Sequence, residues 1–164
     1  MPVFLEILVI LSLALIVIQD LKYRAIHIVL PILLFAIGMF QYFSKGLAVQ
    51  ILLWNLGFLA ITLLGAYSYM ALKNKKFTNP LVTAIGLGDI LYFVAISPYF
   101  LTVNYMLYFV TGLLFSILCF FVIQLFKKNN LVPLAGFLAL YMLLIKTVSW
   151  ITEYNYFFEP PISP

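Results

Sequence analysis

Charge is what this chain mostly lacks. Only 9% of its 164 residues are charged, whereas a soluble domain carries about 25% Asp, Glu, Lys and Arg. A water-facing coat cannot be built from so few, so a soluble globular domain is excluded. Cysteine is nearly missing as well. The one thiol, Cys119, lies inside an apolar run, which excludes an intramolecular disulfide and a cysteine-based zinc site. His27 is the only histidine, and the only aspartates are Asp20 and Asp89. A metal centre needs more ligands than these distant residues supply, so no metal and no cofactor is expected.

What the chain has is hydrocarbon. Apolar residues make up 66% of it, with 16 Phe and 11 Tyr, and the mean hydropathy is +1.17. Long apolar runs separated by basic clusters specify a multi-span membrane protein. The net charge of +4 does not point to nucleic acid, because seven of the nine basic residues lie in alternate connections between apolar runs, where they set topology. "VFLEILVILSLALIVI" at 3–18 has no basic start, carries Glu6 and is not followed by a small-residue cleavage site. It reads as a retained first span rather than a removable signal.

Apolar runs cover about 3–19, 26–43, 47–72, a short stretch after "IGLGD" up to Ser97-Pro98, 103–126 and 131–151. The expected fold is therefore an all-α membrane protein, a bundle of about six transmembrane helices over 1–152 with a short tail at 153–164. Alternate connections hold Lys22, Arg24, Lys73, Lys75, Lys76, Lys127 and Lys128, against Lys45 on the other side, with Glu6, Glu153 and Glu159 at or near that side. Such a bias puts the basic side in the cytoplasm and both termini outside, in a cytoplasmic (inner) membrane. Lys146 falls inside the sixth run and is expected to snorkel to the outer face.

This topology sets Asp20, closing the first span, and Asp89, opening the fourth, at the same cytoplasmic face. Ionisable groups at membrane depth are costly and persist where they pair, meet water or work. Two neighbouring carboxyls cannot both ionise easily and hold one proton between them. One can then take a proton from water while the other donates to a peptide carbonyl, which is acid–base hydrolysis of an amide without a covalent intermediate. Gly86 and Gly88 would let the backbone adopt conformations closed to other residues and leave room for an extended substrate strand. Each element alone has a plainer reading: "GLGD" as a loop end with Asp89 capping a helix, Asp20 as an interfacial partner of Lys22 or Arg24, and Arg24 as a partner of an aspartate or of lipid phosphate.

Taken together, three segments resemble the type IV prepilin peptidase family of membrane aspartyl proteases, which share a GxGD motif with presenilin-type enzymes. "GLGD" at 86–89 matches the element that supplies the family's second catalytic aspartate. "QDLKYRAIHIVL" at 19–30 is similar to its first element, with Asp20 and Arg24 in place and His27 where Pro is usual. "VPLAGFLAL" at 132–140 resembles the stretch that opens the family's last span, with Gly136 in place of a common Pro. Ile90-Leu91 stand where Val-Lys often follows the motif. The resemblance covers the peptidase core, about 1–150, and not the methyltransferase segment with its paired CxxC motif. It implies an aspartyl endopeptidase that removes the basic leader of a prepilin-like or pseudopilin-like membrane protein at the cytoplasmic face. Asp20 and Asp89 would be catalytic, Gly86 and Gly88 would lie along the substrate backbone, and Arg24 would support them.

Two other classes fit parts of the chain. A proton-coupled carrier could use the same aspartates, but the span interiors are nearly dry, with Asn55, Thr62, Thr111, Ser116, Gln124 and Lys146 the main polar residues. An inactive membrane scaffold of the same fold is the other. The lysines of "LKNKKFTNPLVTA" at 72–84 suit anionic lipid headgroups at the cytoplasmic surface.

Overall fold

The computed structural model describes residues 3–74, 86–126, 132–152 and 156–157. Lys75, Lys76, Lys127, Lys128, Glu153, Glu159 and most of the tail lie outside them. The described chain is helical: α1 (Val3–Tyr23), α2 (Val29–Ser44), α3 (Val49–Asn74), α4 (Leu87–Ile96), a 3-10 turn (Ser97–Tyr99), α5 (Thr102–Phe126) and α6 (Leu134–Thr152). Proline and glycine punctuate these helices. Pro31 sits in the first turn of α2, where its missing N–H costs nothing, and Pro98 turns the chain after α4. Gly46, at φ 65°, ends α2 in the left-handed conformation that glycine adopts freely.

Four helices are long and apolar enough to cross a membrane: Phe4–Tyr23, Val49–Lys73, Thr102–Leu125 and Leu134–Thr152. The all-α membrane class therefore stands, while the expected six spans reduce to four of full length. With 16 and 10 residues, α2 and α4 rise about 24 and 15 Å, short of a hydrocarbon core about 30 Å thick. Helix α1 runs on to Tyr23, beyond the end of its apolar run. Asp20 thus lies within its last turn rather than after it.

Helix α1 packs along α6, α2 lies against α4 and the 3-10 turn, and α5 joins α6 to α3. At Gly38 a Cβ would come within 2.5 Å of the Tyr99 ring, so the missing side chain is what lets α2 meet the turn. Tyr99 then donates its hydroxyl to the Leu34 carbonyl at 2.8 Å. Buried Asn55 ties α3 to the same turn, its Nδ2 donating to the Ser97 and Phe100 carbonyls, each at 2.9 Å. Tyr105 reaches the Phe93 carbonyl and Tyr108 the Leu138 carbonyl. In hydrocarbon such groups must find partners inside the protein. The outer faces expose Trp54, Leu72, Leu125 and Trp150, as a bilayer-facing surface does.

At the end of the bundle near Glu6, the Phe157 carbonyl accepts from the Leu101 N–H at 3.0 Å. Lys146 places its ammonium 5.5 Å from the Phe157 ring centroid. The ammonium thus lies against an aromatic face, within cation–π range.

Candidate active site

Three helix ends meet at the opposite end of the bundle. Asp20 comes from the last turn of α1, Asp89 from the first turn of α4, and the start of α6 receives both. Pro133 precedes α6, and the first amides of any helix have no intrahelical acceptor. Two of those amides find the two carboxylates. The Ala135 N–H donates to Asp89 Oδ1 at 2.9 Å, and the Gly136 N–H donates to Asp20 Oδ2 at 2.6 Å. Consecutive helical nitrogens lie about 3 Å apart, which holds the two accepting oxygens within about 8.5 Å of each other. The positive end of the α6 dipole favours negative charge there.

Both residues are withdrawn from water. Asp20 is 7% exposed and Asp89 is half-buried. Asp89 precedes most of the apolar run of α4 and lies outside the four candidate spans. Burial first, and then the neighbouring Asp20 charge, push its carboxyl up to about 6, against the pull of the Ala135 and Gly86 amides. The arrangement favours one proton on the pair at mildly acid pH, up to about 6, as neighbouring carboxyls require.

The glycines serve close approach rather than unusual conformation. Gly86, the residue before α4, has φ −62° and ψ 136°, which any residue adopts, and Gly88 is helical. The expectation that these two need backbone angles closed to other residues is therefore corrected. A Cβ at Gly86 would lie 3.1 Å from Asp89 Oδ2, and one at Gly88 would lie 3.3 Å from Ile26. Gly136 is the third such position, where a Cβ would lie 3.1 Å from both Cβ and Oδ2 of Asp20. Neither Ala135 nor Gly136 stands out as a site residue in the sequence. The available signal is Pro133 ahead of an apolar run, which marks a helix start whose amides need acceptors.

Arg24 is the residue after α1. Its N–H closes the last helical bond to the Asp20 carbonyl at 3.0 Å. Its φ of 55° is the only left-handed value among the described non-glycine residues. That backbone costs an L-residue about 1–2 kcal/mol. Its charge is felt at Asp20, and its Nη1 is buried with no hydrogen-bond partner. His27 is exposed, and its backbone N–H bonds to Gln19 Oε1 at 2.9 Å, pinning the turn that follows α1. No three His, Cys, Asp or Glu side chains gather among the described residues.

A cavity of about 430 Å³ lies between α5 and α6, lined by Phe100, Asn104, Tyr108, Tyr141 and Val148 among others, and neither aspartate borders it. Compared with family models, with curated proteins and with solved structures, the chain matches none of them.

Proposed function

We propose that this protein is an integral membrane aspartyl endopeptidase that cleaves the short basic leader of a prepilin-like or pseudopilin-like precursor. One observation carries the reading. The two aspartates of the chain, 69 positions apart in sequence, are held by consecutive amides at one helix N-terminus. A carboxyl pair so placed can share a proton and a water.

The reaction needs no covalent intermediate. The ionised carboxylate takes a proton from water as the water oxygen bonds to the peptide carbon. The carbonyl π pair moves onto its oxygen, which receives the proton of the other carboxylic acid. Collapse of the resulting diol breaks the C–N bond. The leaving nitrogen takes up the proton first drawn from water, and the hydroxyl proton returns to the second carboxylate. A new acid and a new amine result, and the pair regains its starting state.

The basic bias of alternate connections places this end of the bundle at the cytoplasmic face and both termini outside. The sixfold bundle is completed by α2 and α4, with α4 entering the bilayer beyond Asp89. Anionic headgroups would sit beside the lysine-rich connection of 72–84. In co-expression with a pilin-like precursor, the wild type removes the leader, as read by mass spectrometry of the product. Asp20→Asn and Asp89→Asn each accumulate in the membrane but leave the precursor whole. Full processing by either variant overturns the reading.

A further inference from the structure

We infer that Arg24 is a catalytic residue of this site, donating a hydrogen bond from its guanidinium to the carbonyl oxygen of the peptide under attack. The inference rests on the aspartyl endopeptidase reading and extends it to a group that the acid pair does not provide. Three observations converge on Arg24. It follows the helix end that carries Asp20, with its backbone N–H bonded to the Asp20 carbonyl. Its Nη1 is buried and has no hydrogen-bond partner. A buried donor without an acceptor is unfavourable in the resting protein and becomes favourable once a ligand atom arrives to accept from it.

The third observation is the backbone. A residue closing a helix at φ 55° is ordinarily glycine or asparagine. An arginine there accepts strain at a place where a smaller residue would cap the helix better, and strain of this kind clusters at functional sites. What arginine adds is a permanently charged, planar donor that cannot give up its proton. Beside a pair that handles all proton transfer, such a group is suited to stabilising charge without joining the transfer. As water adds to the peptide carbon, the electron pair of the C=O bond moves onto oxygen. An N–H that donates to that oxygen strengthens its bond as the charge grows and relaxes when the C–N bond breaks. No proton leaves the guanidinium, and the two aspartates balance the reaction by themselves.

The backbone also supplies a clean test, because Arg24→Gly places the preferred residue at a left-handed position. This variant of the full chain is expected to melt no lower than the wild type, and Arg24→Asn to behave alike. With a pilin-like precursor in reconstituted membranes, kcat should fall about a hundredfold with KM unchanged. The pH profile should keep its shape, and added guanidinium ion should restore part of the rate in Arg24→Gly. Undiminished kcat in a folded Arg24→Gly overturns the inference. So does a loss that consists only of a shifted pH profile, which would make Arg24 a tuner of Asp20, or only of a raised KM, which would place it on the leader or on lipid. A wild type that fails to cleave, or an Asp20→Asn variant that does cleave, removes the endopeptidase reading and this inference with it. The Arg24 outcomes just named leave that reading standing.

Discussion

The Gly136 amide reaches Asp20 Oδ2 across 2.6 Å, and a Cβ on the same glycine would sit 3.1 Å from that oxygen and from the Asp20 Cβ. The same residue therefore holds the carboxylate and leaves it room. Gly136→Ala sets two effects against each other. Alanine favours the helix by about 1 kcal/mol, while its methyl group must push the Asp20 side chain aside by a few tenths of an ångström. Stability is expected to change little, because the larger effect is on geometry. A small displacement of a reacting group can lower a rate by up to about a hundredfold. Cleavage of a pilin-like precursor should fall at least tenfold in Gly136→Ala while its melting temperature stays near that of the wild type. Unimpaired cleavage would mean that Asp20 does not work from this position.

The role of Gly136 shows where the sequence stops being legible. The apolar runs, the basic connections and the two aspartates announce themselves by residue type, and most helix boundaries follow from them to within a few residues. In the sequence Gly136 looks like a departure from a motif that usually has proline there. Its function depends on a backbone amide, which every residue except proline carries, and on the absence of a side chain beside a residue 116 positions away. Neither property has a local signature. Arg24 is similar: its residue type is visible, whereas its left-handed backbone and unpartnered nitrogen follow from how α1 ends. Gly86, Gly88 and Asp89 interrupt the apolar pattern at the start of the short α4, and in the structure that start lies against Ile26, just past the end of α1, and the first amides of α6.

Glycine also separates packing from propensity elsewhere in the bundle. At Gly38 a Cβ would meet Tyr99 at 2.5 Å and Pro98 at 2.8 Å, and both belong to a rigid turn that Tyr99 and Asn55 tie down. Gly65, in α3, has nothing within 4 Å of a would-be Cβ. Gly38→Ala should therefore destabilise the protein by about 1–3 kcal/mol, and Gly65→Ala should stabilise it by about 0.5–1 kcal/mol. Thermal unfolding in detergent micelles reads both. Opposite signs are expected, and a loss at Gly65 as large as that at Gly38 would mean that α3 is packed against something at that face.

The raised proton affinity of Asp89 has a consequence for stability as well as for chemistry. Its carboxyl titrates at about 6 in the folded protein and from 3.8 when unperturbed, with burial the larger cause and the Asp20 charge the second. Between those values the folded state binds the proton more tightly than the unfolded state does. Stability therefore falls as pH rises from about 4 to about 6, and the loss levels off above that. Allowing for partial exposure of the side chain, the change is about 2 kcal/mol. Asp89→Asn removes the titration, so its melting temperature should vary less over this range and exceed that of the wild type at pH 7. In the proposed reaction the same proton is needed, because a pair that has lost it can no longer protonate the peptide oxygen. Cleavage by the wild type should decline above an apparent value that belongs to the pair and lies near that of Asp89. Melting curves that run parallel for wild type and Asp89→Asn from pH 4 to 7 would show that the two carboxyls do not share the proton on which this chemistry depends.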